Sequence, residues 1–286
     1  MWPEFIALLS ATGWAADAIL VRKGARTSNI YAAALISFII TAILLWTIVL
    51  LFFPLHLLWT PATIYFVLSG LIQPFLTRLL HYIGLTRLGV ARSGSLRGAG
   101  PLFAVLIAVT FLGERPNLFV YGGTLLTMAG VWFILYRGEG GAEWRLFDVI
   151  FPLAASFVAA ISQNLRKMGL LLLPNPFVGG AITTTTSLTL YLISICVTGK
   201  FRLVRPDRAS LPYFVPSAFV AAAAQFLVFL ALTTGDVSTM VPLINTTPFF
   251  SVLFSAIFLR DLEQVTSKLF SGSILLVTGV VLITIR

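Results

Sequence analysis

The sequence predicts an all-α membrane protein of ten transmembrane helices, arranged as two inverted five-helix repeats. Three observations carry this. Hydrophobic residues make up 58% of the 286, charged residues only 10%, and the mean hydropathy is +0.99; a soluble domain carries about 25% charged residues. Apolar runs of about 20 residues, the length that crosses roughly 30 Å of hydrocarbon, recur along the whole chain. The chain also repeats itself. At an offset of 147, Leu85-Thr86-Arg87-Leu88-Gly89-Val90 lies over Leu232-Thr233-Thr234-Gly235-Asp236-Val237. The same offset sets Pro101-Leu102-Phe103 over Pro248-Phe249-Phe250, and Leu112-Gly113-Glu114 over Leu259-Arg260-Asp261. Close to that register, Gly123 and Gly130 fall on Gly272 and Gly279, and Arg22-Lys23 answers Arg166-Lys167. The halves are residues 1–140 and 141–286. Each reads as five spans, and five is odd, so the two halves enter the bilayer from opposite sides.

In chain order, the spans are expected near 3–21, 31–53, 62–83, 90–112, 116–136, 147–165, 177–198, 213–233, 238–259 and 268–285. The first lacks a basic n-region and is expected to be retained rather than cleaved. Pro54 and Pro61 bracket the second loop, Gly113 and Pro116 the fourth, Pro174 and Pro176 the sixth. Pro116 suits the first turn of a helix, where a missing N–H costs nothing. Pro74, Pro101 and Pro248 fall inside spans and should kink them, each freeing a backbone carbonyl. Loops four and eight are very short, so the helices they join are antiparallel neighbours. Gly123 with Gly130, and Gly272 with Gly279, stand two turns apart and allow spans five and ten to approach closely. The run Thr183 to Thr186 points all around its helix and reads as packing.

Several chemistries are disfavoured. The net charge of +9 sits beside apolar spans, the ordinary mark of membrane topology, so the partner is a lipid bilayer and not nucleic acid. The one cysteine, Cys196, lies in an apolar run, which excludes a disulfide framework or a thiolate metal site. The two histidines, His56 and His81, would be about 37 Å apart on a straight helix at 1.5 Å per residue and cannot share a metal or a proton relay. There is no Ser/His/Asp set, no HExxH and no glycine-rich phosphate loop. No enzymatic activity, cofactor or metal is expected.

Polar residues inside spans carry the site argument, because a mid-membrane charge costs several kcal/mol and faces a cavity or a partner. Arg97 lies deep in the fourth span, on a face shared with Ser93 and one turn before Pro101. Arg78, Arg92 and Arg97 can converge across the third loop, and guanidiniums grip carboxylate or phosphate bidentately. Arg92 and Arg78 lie near enough to the loop that snorkelling to the interface is the competing reading. At the 147 offset Arg78 pairs with Gln225, and the ninth span offers Thr239, Asn245, Thr246 and Thr247 before Pro248. Together these read as a substrate-binding wall, with helix-to-backbone hydrogen bonding as the competing role for the threonines. Asp17 is the one acid well inside a span; it reads as a structural ion-pair partner or as a proton-coupling site, and Ile161 stands at its counterpart position. Glu114 and Asp261 end their helices and read as architectural.

With these motifs in place, the chain resembles the drug/metabolite transporter superfamily, specifically the EamA-type proteins of two five-helix repeats. The resemblance rests on Ala91-Arg92-Ser93-Gly94-Ser95, Pro101-Leu102-Phe103, Leu112-Gly113-Glu114-Arg115 and the run from Gly123 to Gly130. It implies a multi-pass protein of the bacterial inner (plasma) membrane that exports or exchanges a small metabolite. It also implies that helices three, four, eight and nine wall a cavity while five and ten pack at the periphery. Inverted repeats give secondary transporters two mirror-related states. The favoured cargo is an amino acid or other organic acid; a lipid-linked phosphate flippase and a non-transporting scaffold are the alternatives. Orientation follows from charge. Odd-numbered loops carry thirteen Lys and Arg residues, whereas the even side carries only Arg115, Arg166, Lys167 and Arg286. The positive-inside bias therefore places both termini away from the cytoplasm, although family members are drawn with both termini inside it.

Overall fold

The computed structural model describes residues 2–77, 80, 83, 99–135, 146–258 and 267–284. Among these there is no strand. The helices are α1 (Trp2–Gly24), α2 (Ile30–Phe52), α3 (Ala62–Gly70), α4 (Gly100–Phe111), α5 (Leu118–Leu135) and α6 (Ile150–Leu172). They continue with α7 (Pro176–Thr198), α8 (Leu211–Thr234), α9 (Val237–Ile244), α10 (Thr247–Phe258) and α11 (Ser267–Thr284). Five stretches are long and apolar enough to cross a membrane: Trp2–Val21, Tyr31–Phe52, Phe147–Leu172, Pro176–Thr198 and Phe201–Thr234. A 23-residue helix such as α2 or α7 reaches about 35 Å at 1.5 Å per residue. The remaining described helices are shorter and apolar.

Local sequence sets the helix ends. Asn29 accepts from the backbone N–H groups of Tyr31 and Ala32 at the start of α2, and Asn175 does the same for Phe177 and Val178 at α7. This is the usual service of an N-cap side chain to orphan donors. Pro176 follows at the first turn of α7. Gly199 closes α7 at φ 65°, and Gly113 follows α4 at φ 68°, left-handed positions where a side chain is disfavoured.

The third span is kinked at Pro74, sharply enough that Gln73 just before it leaves the helix at φ −126° and ψ 131°. A residue preceding proline is pushed toward that extended region. Ser187 of α7 donates across the break, 2.9 Å from the Gly70 carbonyl and 3.2 Å from that of Gln73. Pro101 occupies the first turn of α4, which begins at Gly100. The ninth span is two helices, α9 and α10, separated at Asn245 and Thr246, with Pro248 in the first turn of the second. The sixth span is also longer than expected. It runs to Leu172, so Arg166 and Lys167 lie inside a helix and not in a loop.

The two halves of the chain interlock. α1 packs on α8, α3 on α6, α2 on α7 and α5 on α11. Ser10 donates to the Ala224 carbonyl at 3.1 Å, tying α1 to α8, and Trp46 Nε1 donates to Thr185 Oγ1 at 2.7 Å, tying α2 to α7. Thr183 donates to the Phe66 carbonyl, so the threonine run does serve packing. Between α5 and α11 the backbones meet directly. A methyl group at Gly123 would lie 2.6 Å from the Gly279 carbonyl oxygen, and one at Gly130 would lie 2.5 Å from the Leu276 nitrogen. The close approach read from those glycines is therefore present. Phe66, Phe229, Leu232, Met240 and Leu243 are fully buried in the shared core. Leu50, Phe52, Phe111 and Leu118 turn outward, as a lipid-facing surface requires.

Candidate functional site

Arg78, Arg92, Ser93 and Arg97 lie outside the described residues. The other expected wall is in place but largely self-satisfied. At the break between α9 and α10, Asn245 Nδ2 donates to the Val241 carbonyl at 2.8 Å, Thr246 Oγ1 to Leu243 at 2.7 Å, and Thr247 Oγ1 to Ile244 at 2.8 Å. The Val241 and Leu243 carbonyls also accept the backbone N–H groups of Asn245 and Thr246, so these side chains add local bonds to their own helix end, as polar side chains do inside membranes. Thr239 is buried and Gln225 half-buried. Asp17, half-buried on α1, accepts a hydrogen bond from the Ser217 hydroxyl of α8, which makes it part of the α1–α8 contact.

The structure builds its densest polar cluster elsewhere, on α6. Ser162, Gln163, Asn164, Arg166 and Lys167 are all buried. Arg166 is 3% exposed. Its Nε donates to Ser69 Oγ of α3 at 3.0 Å, and Ser69 Oγ in turn lies 2.9 Å from Ser162 Oγ. The guanidinium carbon stands 5.1 Å from the ring centroid of Phe229 on α8. No carboxylate among the described residues is paired with it. A lone charge at membrane depth costs several kcal/mol. One hydroxyl contact and one aromatic face offset about 3 kcal/mol. One turn earlier, Gln163 is buried and its Oε1 has no hydrogen-bond partner among the described residues.

Lys167 is employed differently. Its Nζ donates to the Leu232 carbonyl at 3.0 Å and to the Gly235 carbonyl at 2.8 Å, closing the C-terminal end of α8. Cations are favourable there because the last carbonyls are unpaired and the helix dipole is negative. Immediately beyond, the carboxylate of Glu114, from the segment between α4 and α5, accepts from the backbone N–H groups of Val237 at 2.8 Å and Ser238 at 2.9 Å. That caps the N-terminus of α9. Asp236 and Glu114 both act on the Lys167 charge. The turn between α8 and α9 is thus clamped from both halves of the chain, by a cation on its carbonyls and an anion on its amides. Glu114 is architectural, as its place at a helix end suggested.

A sixth span ending at residue 165 leaves Arg166 in a loop, so the sequence pattern alone does not single it out as buried. The corrective signal was available. Met168 to Leu173 is apolar except for Gly169, and Pro174 is the next breaker, so the helix had reason to run on past the basic pair. Among the described residues no group of three or more His, Cys, Asp or Glu is placed to hold a metal.

Among the described residues, an all-helical bundle with long apolar helices and a buried cationic and amide cluster marks a polytopic membrane protein. The sequence profile of the EamA-like transporter family matches residues 1–136 and again 146–285, and the chain belongs to that family. An uncharacterized transporter of Archaeoglobus fulgidus is 23% identical over 278 residues, covering 97% of this chain and 96% of the relative. One solved crystal structure superposes with a TM-score of 0.81 at 16% identity, covering 99% of this chain and 95% of the other; at that identity the likeness concerns the fold. The protein is a transporter and not an enzyme, with a small-molecule substrate and a lipid environment.

Proposed function

We propose that the protein is a secondary transporter that exports a small polar metabolite, favoured class an amino acid or other organic acid, by alternating access of two inverted five-helix repeats. The observation that carries this is the pattern of helix neighbours. Exchanging the halves turns the α1–α8 contact into α6–α3, α2–α8 into α7–α3 and α1–α10 into α6–α4, while α2–α7 and α5–α11 map onto themselves. Self-mapping of this kind is what a two-fold axis between repeats requires, and such an axis gives one chain two mirror-related states. The double family match supports the same division. On this reading Arg97, with Arg78, Arg92 and Ser93, lines one end of the path and Gln225 and Thr239 the facing wall. The setting is a bacterial inner membrane.

Labelled amino acids and organic acids offered to vesicles reconstituted with the purified protein test this. Accumulation or counterflow of an acid is expected from the wild type. Arg97→Gln should abolish it with folding intact, and Arg97→Lys should restore only part, since an ammonium lacks the planar fork. Wild-type flux in the Gln variant overturns the role of Arg97. Flux that stays linear, with no counterflow, overturns the carrier mechanism.

A further inference from the structure

We infer that Arg166, together with Gln163, forms a second contact for the carboxylate end of the cargo, taken up once the acid has left the Arg97 end of the path. The inference rests on the reading of that cargo as a small acid, and it adds which residues read the acid group. Every other buried charge in this region has a stated use. Lys167 closes α8, and Glu114 opens α9. Arg166 is buried more completely than Lys167, yet it spends one of its five donors on Ser69 and rests against Phe229. Its remaining N–H groups form the flat fork that matches two carboxylate oxygens. A guanidinium buried with no acid beside it among the described residues suits half of an ion pair, and in a transporter the other half can arrive with the solute.

The charge balance favours a carboxylate over a phosphate. One guanidinium is neutralised by one monoanion, whereas a dianionic phosphate would leave net negative charge in the bilayer interior. Lys167 does not supply the second cation, because its ammonium is engaged with the Leu232 and Gly235 carbonyls. Gln163 adds the complementary element. It stands three residues before Arg166, which places it on the same helical face. Its buried Oε1, unpartnered among the described residues, can accept an N–H or O–H adjacent to the carboxylate. An α-amino or α-hydroxy acid presents such a donor beside its carboxylate.

The test uses the full-length protein in vesicles and paired probes: leucine, phenylalanine, lactate and propionate, each beside its amide. Wild type is expected to prefer at least one acid over its amide. In Arg166→Gln that preference should fall by about a hundredfold, the worth of a bidentate charged contact, while residual transport of the amide persists. Gln163→Leu should weaken leucine and lactate, which carry the neighbouring donor, more than propionate, which does not. Unchanged acid preference in Arg166→Gln overturns the assignment and leaves the acidic-cargo reading standing. Wild type that carries amides as well as acids, or carries none of these compounds, overturns that reading itself. Should Arg166→Gln fail to fold, Arg166→Lys takes its place: a fall of about tenfold is expected, and no fall overturns the assignment.

Discussion

Arg166 and Lys167 are consecutive, equally charged and buried in one helix, yet their neighbours give them opposite employments. Lys167 is bound to two carbonyls at the end of α8, and the adjacent turn is bound again by Glu114. Lys167→Met should therefore cost about 2–3 kcal/mol, because two buried carbonyls lose charged partners. Glu114→Gln keeps one acceptor and should cost about 1 kcal/mol. Both act on one turn, so the double variant should fall short of the sum. Apparent melting of the purified protein in detergent, followed by helical circular dichroism, reads all three. Asp17 belongs at the same scale. Its contact with Ser217 makes it a link between α1 and α8, so Asp17→Asn should lower the melting temperature while a pH gradient still drives flux. A variant of unchanged stability that has lost pH-driven uptake would instead assign the proton to Asp17.

At the scale of elements, the most decisive packing is where side chains are missing. Gly130 and Gly122 occupy the same helix, but a methyl at Gly130 meets the α11 backbone while one at Gly122 meets nothing within 4 Å. Gly130→Ala should destabilise by about 2 kcal/mol or more, since backbone cannot move aside. Gly122→Ala should stabilise by about 0.5–1 kcal/mol through helix propensity. Opposite signs in melting are the expected result, and matching signs would refute the α5–α11 seam. The glycine pattern was legible in the sequence because a seam of small residues has a spacing. The breaks were legible only to within a few residues. Pro74 and Pro248 mark the region, but the departure falls at Gln73 and at Asn245, where polar groups such as Ser187 stand ready to take the freed carbonyls. Arg166 was illegible for a related reason. A basic pair after an apolar run reads as a loop flank unless the hydroxyls and ring that accept it, Ser69 and Phe229, are known.

For the molecule as a whole, the charge count sets an orientation. Thirteen Lys and Arg residues lie on the odd-numbered side and four on the even-numbered side, where Lys167 reaches the Gly235 carbonyl. The expected outcome is that a reporter fused after Arg286 and active only in the cytoplasm stays silent; signal there would refute the orientation drawn from charge. The exchange symmetry of the helix neighbours also bears on origin. Each half offers the other the faces that complement its own copy. In a membrane such self-complementarity is satisfied only when the two pieces lie head to tail. On the proposed inverted-repeat reading, a half-length polypeptide inserted in both orientations would already bury the α2–α7 and α5–α11 faces against itself, as an antiparallel homodimer. Joining two such pieces fixes their ratio at one to one and frees each to change alone. On that reading Asp17, bonded to Ser217 where its sequence counterpart is the apolar Ile161, is a polar group that one half carries and the other does without.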